Sequence, residues 1–190
     1  MTTPEFDLQK AHRHFSVTCF NEAWSLIDKT ERTPDEDEQM LRLSVASAWH
    51  WTLRDDCTPQ NLSIAYWQIS RVHALVGRGD EAARYGQMCL QASQGEGIAP
   101  FALGYAYEAL ARAEAVRGNP AKAKGHLRKA REVAETLTDE DTGRCSSTIS
   151  QRSAEAVRPP TTRTASARSF SSLGAREHRA HRSHARPPAR

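Results

Sequence analysis

Residues 62–82 read LSIAYWQISRVHALVGRGDEA, and residues 103–123 read LGYAYEALARAEAVRGNPAKA. At an offset of 41 residues the two stretches share Leu62/Leu103, Ala65/Ala106, Tyr66/Tyr107, Arg71/Arg112, Ala74/Ala115, Gly77/Gly118 and Ala82/Ala123. Ile69/Leu110 and Leu75/Val116 agree in character. Chance supplies one or two such identities, so the set indicates duplication or shared packing demands. Each residue type has a physical task. Tyr66 and Tyr107 are large anchors between two paired helices. Gly77 and Gly118 allow the left-handed residue on which a helix turns back. Ala82 and Ala123 are small enough for the returning helix to approach closely.

Outward from this repeat, apolar residues recur at spacings of three and four, and no stretch alternates with period two. Helix starts are marked by Thr33-Pro34-Asp35-Glu36, Thr58-Pro59 and Asn119-Pro120, where a capping residue precedes a proline in the first helical position. Pro100 opens a further helix after the glycine-rich link at 95–97. These signals predict an all-α chain with seven helices over 5–18, 20–30, 34–54, 59–76, 79–93, 100–117 and 120–137. Short connections predict antiparallel neighbours. The FNEAWSLID stretch around Ala23 is expected to be the second helix of a first hairpin. The helix carrying Trp49 and Trp51 is expected to pack across the start of the stack.

The order of aromatic, aliphatic, glycine and alanine resembles the tetratricopeptide repeat over about 60–137. The period of 41 departs from the family's roughly 34 residues because of the SQGEGIAP loop. Gly86 stands where the family places a bulky residue, which Leu127 supplies in the second copy. ASAWHW and YWQISRVHALVG also resemble a bacterial family of small proteins of this type, with no assigned activity. The resemblance implies a short right-handed solenoid of stacked antiparallel hairpins over 1–140, clearest at 60–94 and 101–137. It also implies a concave groove that binds a peptide or protein segment. Carried over by position, the groove residues are Ile64, Trp67 and Arg71 in the first copy, and Tyr105, Glu108 and Arg112 in the second. Packing falls to Tyr66, Ile69, Gly77 and Ala82, and to Tyr107, Leu110, Gly118 and Ala123. Arg71 and Arg112 would stack along one wall and suit a carboxylate. The competing reading pairs Arg112 locally with Glu108, four residues before it.

Charge divides the chain. Residues 1–142 carry 16 basic and 21 acidic side chains, net −5; residues 143–190 carry 10 arginines against Glu155 and Glu177, net +8. The segment 141–190 is poor in large apolar residues and is expected to be disordered. Two readings of it stand. As a basic arm it would bind nucleic acid non-specifically through phosphates. Its Arg, Ala, Pro, Ser and His bias also matches out-of-frame translation of a GC-rich gene. One codon choice for 144–150, read two bases later, gives Leu-Leu-Leu-Asp-Asp-Leu. Loss of a native cap there would leave apolar surface on the 120–137 helix and favour homo-oligomers.

Other chemistry is sparsely signalled. Cys19, Cys57, Cys89 and Cys145 form no CxxC pair, so neither a zinc motif nor a disulfide framework is expected. No cofactor motif, metal site or catalytic group is expected. With neither a signal sequence nor a membrane span in view, the expected setting is cytoplasmic. His12 and His14 share a predicted helix but point about 200° apart. SAWHWTLRDD sets His50 between Trp49 and Trp51 with Asp55 and Asp56 following. This cluster is the alternative centre for a small-ligand binder or an acid–base enzyme. Against it stands the simpler role of an aromatic seal at a helix end.

Overall fold

A computed structural model describes residues 6–95 and 97–137. The readings made of residues 141–190 lie outside them. The described residues are all-helical, without a strand: α1 Leu8–Ile27, α2 Pro34–Thr52, α3 Pro59–Leu75, α4 Gly79–Ala92, α5 Phe101–Val116 and α6 Pro120–Thr136. No helix among them is long and apolar enough to cross a membrane.

Local chemistry accounts for most boundaries. At α2 the Thr33 side chain accepts from Glu36 N–H while the Glu36 carboxylate accepts from Thr33 N–H. Thr58 and Asn61 build the same reciprocal cap at α3, satisfying donors that the first helical turn leaves open. Gly77 and Gly118 take φ of 77° and 76°. A side chain with a Cβ is strained in that conformation. Asn119 differs from expectation. Its amide donates to Glu114 at 2.7 Å rather than capping α6, and Pro120 alone marks that start.

Six helices stand where seven were expected. The segments 5–18 and 20–30 join in the single α1, since no Pro or Gly interrupts Thr18-Cys19-Phe20-Asn21. FNEAWSLID is therefore the second half of α1. α2 packs mainly on α1 and also on α3. α3 packs on α4 and α5, α4 on α5, and α5 on α6.

The core follows these pairings. Ile27, Met40, Leu41 and Val72 join α1, α2 and α3. Ala48, Ala65 and Ile69 gather with Trp51, Tyr66 and Tyr85. Ala74, Ala82 and Ala113 bring α3, α4 and α5 together, and Ser70 Oγ donates to the Ala82 carbonyl at 2.7 Å, a contact that a larger residue at 82 would obstruct. At Gly86 an added Cβ would meet Leu110 Cδ2 at 3.0 Å, so Leu110 from the second copy fills the space that the first copy leaves empty. α6 turns Ala123, Leu127 and Ala130 inward. Lys122, Lys124, Arg128, Lys129 and Arg131 are exposed along it, and among the described residues no exposed large apolar side chain lies on it.

Candidate functional site

A row of aromatic side chains runs across α1, α3 and α5. Phe20 meets Trp24 edge-on, Trp24 stacks on Trp67 with centroids 5.7 Å apart, Trp67 meets Tyr105 edge-on at 5.7 Å, and Tyr105 meets Phe101 edge-on at 5.9 Å. These are the offset and T-shaped contacts that ring quadrupoles favour. The row lines a cavity of about 320 Å³, completed by Gln60, Ser63, Ile64 and Ala102. The lining is apolar apart from the Gln60 amide, the Ser63 hydroxyl and the polar tips of the indoles and phenol. The Arg71 guanidinium stands 5.6 Å from the Trp24 ring and 5.8 Å from the Trp67 ring, within reach of a cation–π attraction.

Behind this lining is a buried polar cluster. Trp67 Nε1 donates to Glu108 Oε2 at 3.0 Å. Arg112 donates through Nε to Glu108 Oε1 at 3.1 Å, and its Nη2 closes the ion pair. Glu108 is fully buried and Arg112 is 7 % exposed. Trp67 and Glu108 hold the same place in the two repeat copies, 41 residues apart.

Of the six residues assigned to the groove by position, Ile64, Trp67 and Tyr105 line the cavity. Arg71 lies against the two indoles. Glu108 and Arg112 face inward to each other, so the two arginines do not form one exposed wall; the local i−4 pairing holds Arg112. Phe20, Trp24 and Phe101 were not assigned to the groove from the sequence. For Phe20 and Trp24 a signal was present, since they stand four residues apart on one face of the helix expected over 20–30, but neither belongs to the repeated stretch that assigned the groove. Among the packing residues, Tyr66 faces Tyr85 across α3 and α4 at 6.3 Å, and Tyr107 stacks with His126 across α5 and α6 at 6.3 Å. Ile69, Leu110, Ala82 and Ala123 are buried.

The His50 cluster is arranged differently from its linear order. Trp51 lies under Arg54, whose guanidinium is 3.7 Å from the ring centre, while Trp49 is 58 % exposed. Asp56 accepts two hydrogen bonds from Arg54, at 2.8 and 2.7 Å, and Asp55 accepts one from Arg13 at 2.6 Å. The Arg54 hydrogen bonds hold the Asp56 carboxyl down to about 2. Both carboxylates are thus engaged by arginine. His50 instead meets His12 of α1, Nδ1 to Nδ1 at 2.9 Å. Among the described residues no group of three or more His, Cys, Asp or Glu is placed to hold a metal ion. Burial pushes the Cys89 thiol up to about 11, far from the depressed values of reactive cysteines.

No family model matches this chain, and no curated protein or solved structure is significantly similar to it.

Proposed function

We propose that the protein is a non-catalytic, cytoplasmic interaction module of the tetratricopeptide type. In this reading α1/α2, α3/α4 and α5/α6 are three antiparallel hairpins stacked in a right-handed solenoid. The first helix of each hairpin lines a groove that receives a bulky apolar side chain of a peptide or protein segment. The order in which the helices pack supports the reading, since contacts run mainly between chain neighbours and between α3 and α5. The observation that carries it is the aromatic cavity, which draws its lining from α1, α3 and α5 alone. Aromatic walls with few polar groups are the usual make-up of a site that holds an apolar anchor.

Ile64 gives a clean test because it lines the cavity and is 40 % exposed, so a charge there spares the core. Peptides selected from a random displayed library on the wild-type protein should carry a large apolar residue at a fixed position. They should shift the tryptophan fluorescence of the wild type and lose at least tenfold in affinity for Ile64→Glu, about 1.4 kcal/mol. Selected peptides that bind Ile64→Glu as tightly as wild type would refute the groove.

A further inference from the structure

The contact between His12 and His50 lies outside the aromatic cavity and joins residues of α1 and α2 that stand 38 apart in the sequence. Its geometry is specific. An imidazole nitrogen lies about 1.15 Å from its ring centre, given ring bonds close to the C–N lengths of a peptide. Two such spokes and the 2.9 Å gap, laid end to end, span the 5.2 Å between the ring centroids. The two Nδ1 atoms therefore face each other head-on, each along the direction of its own lone pair or N–H bond. A transition-metal ion about 2.0–2.1 Å from each nitrogen has no place on that line. One proton fits between the nitrogens. It is donated by one ring and accepted by the other, whether the pair is neutral or carries one charge. With two protons, two N–H groups oppose each other at hydrogen-bond distance, and the contact is repulsive.

The surroundings make the second proton harder to accept. The pair is partly covered by Trp49, at 4.9 Å from His50, and by Phe15, at 5.3 Å. Burial, and then the charge of His12, hold the His50 pKa below its ordinary value, although the last turn of α2 would favour a cation. Among neighbouring charges on α1, Arg13 is tied to Asp55 at 2.6 Å and lies 3.7 Å from Asp56, while His14 lies against Phe15. In the loop after α2, Arg54 is tied to Asp56. α3 meets this end of α2 through Ala65, Ile69 and Tyr66 against Ala48 and Trp51. Asp55 and Asp56 are thus committed to arginines and do not compensate a doubly charged histidine pair.

We propose that His12 and His50 form a pH-sensitive latch between α1 and α2, closed while one proton lies between the facing Nδ1 atoms and open once both rings carry one. The latch fixes the N-terminal half of α1 on the last turn of α2. α1 also carries Phe20 and Trp24, so opening loosens the support of one wall of the aromatic cavity. The latch does not depend on what that cavity binds.

The test is an imidazole nitrogen–proton NMR titration of the full-length protein from pH 8 to 4.5, with His12→Ala and His50→Ala beside it. At pH 8 one ring of the pair should be the Nδ1–H tautomer. The second proton should bind at least about tenfold more weakly than the first, the separation expected of strongly coupled sites. Trp49 emission should step with that second protonation in wild type and not in His12→Ala, where His50 should titrate at higher pH. The wild-type titration decides the matter even if a variant folds poorly. Two Nε2–H tautomers at pH 8, or two steps separated by less than about threefold in affinity, would overturn the latch.

Discussion

Replacing Arg112 by Ala separates a structural role for this residue from a recognition role. Arg112 and Glu108 are one turn apart on α5 and both buried, and the carboxylate is held by the guanidinium on one oxygen and by the Trp67 indole on the other. Removing the cation leaves a buried carboxylate with a single neutral donor. Breaking a buried pair in this way costs about 3–5 kcal/mol, far more than the few tenths carried by an exposed i,i+4 pair. For a helical body of this size, that corresponds to roughly 10–15 °C in Tm. Adding Glu108→Gln to the same chain removes the stranded charge and keeps an acceptor for the indole. The double variant should therefore be less destabilised than Arg112→Ala alone, at about 1–3 kcal/mol. Denaturant unfolding of wild type, both single variants and the double variant at pH 7.5 measures the set. A loss below about 1 kcal/mol for Arg112→Ala would refute the reasoning, as would failure of Glu108→Gln to restore stability. Because Arg112→Ala weakens the fold itself, Ile64→Glu is the better probe of the proposed groove.

Two further outcomes are expected. Gly125 has open space where a Cβ would stand, whereas at Gly86 that atom would meet Leu110 Cδ2 at 3.0 Å and its backbone nitrogen at 3.4 Å. In thermal unfolding, Gly125→Ala should gain about 0.5–1 kcal/mol from helix propensity, and Gly86→Ala should lose about 1 kcal/mol through overpacking. With its thiol pushed up to about 11 by burial, Cys89 should resist an exposed-thiol reagent at pH 8 until denaturant is added, as mass spectrometry of labelled peptides would show; labelling of the native protein at a free-thiol rate would contradict the burial.

The parts of the fold legible in the sequence were those encoded within a few residues. Thr33 with Glu36 and Thr58 with Pro59 act across a single turn, and Gly77 and Gly118 act at one backbone position, so their signals survive without tertiary knowledge. The continuity of α1 was legible only as an absence: no Pro or Gly breaks Thr18-Cys19-Phe20-Asn21, but these residues have modest helix propensity and give no positive signal that the helix runs on. The lining of the aromatic cavity was half legible. Ile64, Trp67 and Tyr105 follow from the repeat pattern, but Phe20 and Trp24 lie outside the repeated stretch. Arg112 was ambiguous because a repeat position fixes where a side chain starts, not which partner it turns to. The meeting of His12 with His50 depends on how α1 and α2 pack, and no local periodicity encodes that.

The bond from Trp67 to Glu108 has one more consequence. Its donor and acceptor stand at the same address in the two repeated segments, so two identical copies would offer indole to indole, or carboxylate to carboxylate, and the bond would not form. The difference between the copies therefore works as a key. It makes each segment a specific partner for the other, which two identical copies could not be.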